Sequence, residues 1–272
     1  MRASASGTDR LTIARLARAG RAGVITVARA AETLNLDRRA AALRLGAMAR
    51  RGWVLRARRG LYLVLPLEAE PGRPMVAEDP WVLAREAFSP CYIGGWSAAE
   101  HWGLTEQLFR STLVVTAAHV RSRSVTLLGH AFRVFRVPRS RIAGVALVWR
   151  GSERVPVSDR ERTIVDCLRH PELCGGIRHL VDLLREYGSH AERNFVKLAS
   201  TAREAGSGAA WKRLGYLAER LWPEERRLME EARHRLTAGY VKLDPDVARR
   251  GPLVRRWRLW VNVPAGAASR AL

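Results

Sequence analysis

Four side chains of types that bind zinc occur in the order C-x2-H-x3-C-x4-H: Cys167, His170, Cys174 and His179. The residue types suit the metal, but the spacing does not. Cys167 and His170 fall on one predicted helix, and Pro171 and the Gly175–Gly176 pair separate the two halves. Two buried cysteines and a capping histidine account for them, so neither a metal nor a cofactor is expected. Five acids, Asp159, Glu161, Asp166, Asp182 and Glu186, could in principle hold magnesium for nuclease chemistry. None stands in an acid–x–Lys arrangement on a strand. Asp159 suits the first turn of a helix, and Asp166 a salt bridge to a neighbouring arginine. Ser97 lies in Gly94-Gly95-Trp96-Ser97-Ala98, but Ala99 occupies the place where a nucleophile elbow needs glycine. His101 would share its helical face, yet no orienting acid is evident, and Ser97 reads as an N-cap. Neither G-x-x-x-x-G-K-[ST] nor G-x-G-x-x-G occurs. The chain reads as no enzyme, a metal-dependent nucleic-acid enzyme being the less favoured alternative.

Arginine is where the chemistry concentrates. The 272 residues carry 47 Lys+Arg against 26 Asp+Glu, a net charge of +21, and the only lysines are Lys197, Lys212 and Lys242. So uniform a choice of arginine can reflect base composition, which makes its placement more informative than its total. Residues 1–65 hold 14 arginines against Asp9, Glu32 and Asp37, a net +11 in a quarter of the chain. Such a bias attracts polyanions.

The elements that would present these arginines are set by local signals. Residues 10–19 predict a first helix, with Leu11, Ile13, Leu16 and Ala17 apolar. Thr26 can cap a short second helix reaching Leu34, and Asp37 a third over 38–51, which Gly52 stops. Two apolar runs, 53–55 and 61–65, flank the basic turn Arg56–Gly60 and predict a hairpin. Three helices and a hairpin in that order predict a winged helix-turn-helix, whose second motif helix enters the major groove. On the third helix Ala41, Leu45, Met48 and Ala49 face inward, with Arg39, Leu43 and Arg50 outward and Arg38 at the exposed start. Arg56, Arg58 and Arg59 sit on the wing. Guanidinium groups bind guanine edges or phosphates, so Arg38, Arg39, Arg50, Arg56, Arg58 and Arg59 are the candidate DNA contacts.

Residues 67–80 are rich in proline and read as a linker after a DNA-binding domain at 1–66. A larger α+β domain follows at 81–263. It opens with a helix at 80–88 and strands at 112–117, 125–128, 132–137 and 145–149. Helices come next, at 159–169, 176–187, 191–204, 208–221 and 223–236, and strands return at 240–243 and 257–261. Residues 264–272 are expected to be a disordered tail. Most of the nine tryptophans should be core, and an exposed cluster would mark a partner surface. Three cysteines (Cys91, Cys167 and Cys174), the lack of a membrane span and the lack of a signal peptide point to the cytoplasm.

Four segments carry a resemblance. Residues 92–107, with Gly94-Gly95-Trp96-Ser97-Ala98 and Gly103-Leu104-Thr105-Glu106-Gln107, resemble a segment of the AbiEi-type antitoxins. Arg162-Thr163-Ile164-Val165-Asp166-Cys167, with Gly175–Gly176 after it, is similar to a second, and Arg213-Leu214-Gly215-Tyr216-Leu217-Ala218-Glu219 to a third. Leu243-Asp244-Pro245, Arg256-Trp257 and Asn262 look like the family's closing strands. The resemblance covers about residues 10–263. It implies an antitoxin of a type IV toxin–antitoxin system, a class tied to phage defence. The winged helix would repress its own operon by binding inverted repeats in double-stranded operator DNA. The second domain would counter a cognate toxin of nucleotidyltransferase-like fold, without requiring a stable complex. A stand-alone DNA-binding regulator is the alternative. No dimerisation helix is evident, so a monomer or weak dimer pairing on DNA is expected.

Overall fold

The computed structural model describes residues 7–65, 77–248 and 250–263. Most of the expected linker and all of the expected disordered tail lie outside the described residues.

The chain begins with helix α1 (Gly7–Ala19), strand β1 (Val24–Thr26), helices α2 (Val27–Leu34) and α3 (Arg38–Arg50), and strands β2 (Val54–Arg58) and β3 (Leu61–Val64). The caps are those the sequence offers. The Thr26 hydroxyl accepts from the Arg29 amide and the Asp37 carboxylate from the Ala40 amide, satisfying N–H groups that have no partner within the helix. Asn35 ends α2 in the left-handed region (φ 53°), a conformation asparagine tolerates. The three strands form an antiparallel sheet in the order β1-β3-β2, and the short β1 was not legible in the sequence. Ile13 and Leu16 of α1, Ala41, Leu45 and Met48 of α3, and Trp53, Tyr62 and Val64 of the hairpin share one buried cluster. Leu11, expected among the apolar positions of α1, is 69% exposed. The order of elements and the hairpin closed onto a third strand match the winged-helix pattern.

The next elements are α4 (Pro80–Phe88), β4 (Cys91–Ile93), α5 (Gly95–His101), β5 (Thr112–Thr116), β6 (Ser124–Leu127), β7 (His130–Arg136), β8 (Val145–Arg150) and β9 (Glu153–Ser158). A six-stranded sheet has the order β6-β7-β5-β4-β9-β8, with β5–β7 parallel and β6–β7 antiparallel. Then come α6 (Arg160–Arg169), α7 (Ile177–Ser189), α8 (Phe195–Ala205), α9 (Gly208–Leu221) and α10 (Arg226–His234). The small strands β10 (Val241–Lys242), β11 (Leu253–Val254) and β12 (Leu259–Trp260) close the chain. The fold is mixed α+β, as the pattern predicts. One local expectation fails: Gly94, not Ser97, precedes α5, and Ser97 is buried within the helix.

Packing divides the chain into two compact units. Among the described residues the first comprises 7–65, 77–92, 110–139 and 147–156, and the second 93–109, 140–146, 157–248 and 250–263.

In the first unit the winged-helix elements are fastened to α4 and β9. The Arg21 guanidinium lies 3.1 Å from Glu86 on α4 and 3.2 Å from Glu153 on β9, and Arg85 meets the same two acids at 3.1 and 2.7 Å. Partial burial makes such a four-member network worth more than isolated surface pairs.

In the second unit α6 packs against α5, α7, α8 and α9. Its buried Ile164, Val165, Cys167 and Leu168 build the centre of that core. The small sheet joins through α9: Trp257, fully buried, donates its indole N–H to Glu219 at 2.9 Å.

Candidate nucleic-acid interface and antitoxin domain

The Asp37 cap sets the start of α3, and there Arg38 and Arg39 stand exposed. The Asp37 carboxylate already offsets the positive end of the helix, so anion attraction here is left to the guanidinium groups. Leu43, one turn on, is 68% exposed, and Arg50 is exposed in the last turn. The inward face is Ala41, Leu45 and Met48, with Ala49 partly buried against it.

On the wing Arg56 pairs with Tyr62 and Arg58 with Leu61, a register shift between them. Arg59 and Gly60 (φ 82°) make the turn. Arg56, Arg58 and Arg59 are exposed. The Arg58 guanidinium also lies 5.4 Å above the Phe88 ring, and partial burial lowers its pKa. It fastens the wing to α4. The side chains of Arg44 and Arg51, which the sequence did not single out, both reach Asp9 at 3.6 Å. Asp9, the lone acid of α1, was the available signal. These two clamp α3 to α1, whereas Arg38, Arg39, Arg50, Arg56, Arg58 and Arg59 form no ion pair among the described residues.

Four of the five candidate acids of the second unit are engaged by cations, and the fifth, Glu186, is exposed. The Lys197 ammonium lies 2.9 Å from Asp159 and 2.8 Å from Glu161. Desolvation lowers the lysine's pKa, but its hydrogen bonds to Glu161 and Asp159 and their charges outweigh it, and the net shift is upward. Glu161 also accepts from the Tyr187 hydroxyl at 3.1 Å. Asp166 takes the Arg162 Nε at 3.0 and 3.1 Å. Asp182 pairs with Arg185 at 2.8 Å. Asp159 caps α6 itself, accepting from the Arg162 amide. Among the described residues no group of three or more His, Cys, Asp or Glu could hold a metal ion.

The residues with zinc-like spacing go to separate tasks. Cys167 and Cys174 are buried, and their mutual hydrogen bond, with burial, raises the Cys167 pKa well above the ordinary thiol range. His170 contacts Glu172 at 3.5 Å, and the hydrogen bond from His170 holds that carboxyl below its usual range. His179 meets the Phe109 ring edge-on.

The remaining segments of the resemblance act as internal staples. Arg213, buried on α9, donates to four backbone carbonyls: Leu168 at 2.8 Å and Arg169 at 3.2 Å at the end of α6, and Lys242 at 3.1 Å and Leu243 at 2.9 Å beside β10. Burial lowers its pKa, against the pull of Glu172 and Asp244. Gly215 lies against the Trp257 ring, where a Cβ would come within 2.1 Å of a ring carbon. Asp244 accepts from the Ile177 amide at the start of α7, and Asn262 bonds both the amide and the carbonyl of Asp244. Trp96 stacks on Phe109 with centroids 5.0 Å apart, and the Trp102 indole donates to the Ser158 carbonyl at 2.7 Å. Trp53, Trp96, Trp211, Trp222 and Trp257 are buried, whereas Trp149 is 60% exposed with Arg154 over its ring. No exposed tryptophan cluster forms among the described residues.

Taken together, a winged-helix order of elements joins a mixed domain whose buried charges serve packing. Residues 92–220 match the family model of the AbiEi antitoxin C-terminal domain. The match spans just under half of the chain and supports an antitoxin of the AbiEi type, a regulatory family. The segments 92–107, 162–167 and 213–219 fall inside the match, whereas Asp244, Trp257 and Asn262 lie beyond it. Among solved structures the chain resembles the RV2827C protein from Mycobacterium tuberculosis, with a TM-score of 0.59 at 18% identity over 94% of this chain and 92% of that one. That likeness is one of fold. A search of curated protein sequences gave no match. Among the described residues no helix is long and apolar enough to cross a membrane.

Proposed function

We propose that this protein is an antitoxin that binds its own promoter through residues 1–66 as an autorepressor, and counters a nucleotidyltransferase-like toxin through a domain at 81–263, with 67–80 as the linker. The observation that carries the DNA-binding half is the capped start of α3, which presents Arg38 and Arg39, beside a wing bearing Arg56 and Arg59. Arg38, Arg39 and Arg50 approach base edges and phosphates in the major groove, and Arg56 and Arg59 the adjacent backbone or minor groove. Arg58, stacked over Phe88, joins them on the wing. The protein acts in the cytoplasm, and single molecules pair on inverted repeats.

The test is a gel shift on the chain's own upstream region. Binding should weaken steeply as salt rises, because each phosphate contact releases counterions. Replacing Arg38, Arg39, Arg56 and Arg59 with Ala should abolish the specific complex; an unchanged shift would sink the assignment. The antitoxic half is read separately, by co-expression with the product of the neighbouring gene. Growth arrest by that product, relieved by the wild-type chain and by the four-Ala variant alike, is the expected outcome. Failure of both chains to relieve it would refute this half.

A further inference from the structure

Helix α3 carries a large apolar side chain and a glycine on its outward side, and the fold itself requires neither. Leu43 is 68% exposed. Gly46, one turn on, is half-buried in the interior of the helix, where glycine is the poorest former after proline. A Cβ at Gly46 would have the Arg50 Nη1 at 4.0 Å and open space otherwise, so packing does not call for glycine. Its φ is outside the left-handed region, so backbone conformation does not call for it either.

Both residues fall on one stripe with two arginines. Arg39, Leu43, Gly46 and Arg50 stand at i, i+4, i+7 and i+11, within about 60° of one another around the helix. Ala41, Leu45 and Met48 occupy the other side, in the core. Arg44 and Arg51 leave the stripe and reach Asp9 on α1. The stripe is therefore charged at both ends and apolar and smooth between them. A single exposed leucine is ordinary. A purely solvated helix face, however, would carry polar side chains at these central positions. The major groove is about 12 Å wide and a helix with its side chains about 10–12 Å across, so clearance is small. The bare Gly46 lets the helix approach the bases more closely than any side chain there would. Leu43 has no hydrogen-bonding group and gains only from an apolar partner. The base edges of the major groove present one, the C5 methyl of thymine.

We propose that Leu43 is a specificity-determining residue that reads a thymine methyl in the operator, and that Gly46 is the point where α3 comes closest to the bases. Each half-site then holds a thymine between the positions met by Arg39 and Arg50. The inference rests on the DNA-binding reading above and adds a base that guanidinium groups do not select, since arginine favours guanine edges and phosphates.

The experiment is fluorescence anisotropy with the full-length chain. It compares the upstream region with duplexes in which single thymines are replaced by uracil, which removes only the methyl. Where uracil stands at the position Leu43 reads, the wild type should bind about fourfold more weakly, the effect of one methyl left unburied. Leu43→Ala should weaken the thymine duplex and bind the thymine and uracil duplexes equally. Gly46→Met should lose about tenfold or more in affinity for the upstream region. Its thermal melting should be unchanged or raised, because methionine is the better helix former, and a structural role for Gly46 would lower both together. If the wild type binds all thymine and uracil duplexes equally, this proposal falls, and loss of binding by the four-Ala variant leaves the winged-helix reading standing. If Leu43→Ala keeps the wild-type discrimination, another group reads the methyl and the proposal falls. Wild-type affinity in Gly46→Met would overturn the close approach. If the wild type forms no specific complex with the upstream region, the winged-helix reading falls and this one with it. Leu43 is exposed, so circular dichroism and melting of Leu43→Ala should match the wild type.

Discussion

Gly215→Ala is expected to destabilise this protein, although glycine-to-alanine in mid-helix ordinarily does the reverse. Gly215 sits near the middle of α9, where alanine would gain about 1 kcal/mol through helix propensity. Here the added Cβ would lie 2.1, 2.5 and 2.6 Å from three carbons of the Trp257 ring. Carbon atoms in contact normally stand ~3.5–4 Å apart, so the ring must move by more than ~1 Å. It has little freedom to do so: Trp257 is fully buried, and its N–H is held by Glu219 at 2.9 Å. Overpacking of this kind costs about 1–3 kcal/mol, and loss of the indole hydrogen bond would add about 1. After the propensity gain the net loss is about 1–3 kcal/mol. The suitable assay is native-state hydrogen exchange at the α9 amides, which reports the second unit without assuming that both units unfold together. In a Trp257→Leu background the clash is relieved, and Gly215→Ala should become neutral or stabilising. Gly215→Ala that stabilises the protein with Trp257 intact would refute the reasoning, and so would a cost that Trp257→Leu leaves unchanged.

Arg213→Met keeps the length of the side chain but leaves the Leu168, Arg169, Lys242 and Leu243 carbonyls without their donor, two of them at the end of α6. At about 1 kcal/mol per net hydrogen bond the loss approaches 4 kcal/mol, offset in part by relief of the guanidinium's burial, and urea unfolding of the second unit should shift by that order. A variant as stable as wild type would show that the clamp contributes nothing. The Cys91 thiol is pushed up to about 12, mainly by burial. The unfolded thiol, near 9.0, ionises first, so this contribution is complete below pH 9 and is lost as pH rises from 9 toward 12. Thermal melting against pH should fall more gently on that limb for Cys91→Ala than for wild type, and parallel curves would contradict the assignment.

What the sequence disclosed and what it hid divide along a physical line. Thr26, Asp37 and Asp159 cap the helices they precede because a cap is a local event, decided by residues two or three apart. The helices and longer strands of the α+β pattern were legible for the same reason. The unread strands are those that exist only through pairing. β1 and β4 have three residues each, too few for a period to show. β9 contains Pro156, which argues against a strand until its partner is known. Ser97 carried a capping signal, but the chain enters α5 two residues earlier, and the serine is buried instead. On the wing, periodicity gave Arg58 its place, yet its partner Phe88 is thirty residues away and no local pattern announces it.

The segments that carry the family likeness bear on where antagonism of a toxin can reside. Arg213 spends its donors on four carbonyls, Glu219 is taken by Trp257 and by Arg256 at 2.8 Å, and the Asp244 carboxylate accepts from the Ile177 and Asp246 amides. A side chain fully engaged in this way cannot also reach a partner. These residues therefore specify how β10, β11 and β12 close onto α6, α7 and α9. The groups available for recognition are the ones packing leaves exposed, such as Leu147 and Trp149 on the edge strand β8. Family likeness and partner choice are thereby written in different residues. Substitutions in the first set should unfold the second unit, whereas substitutions in the second should leave melting unchanged and alter only what the protein binds.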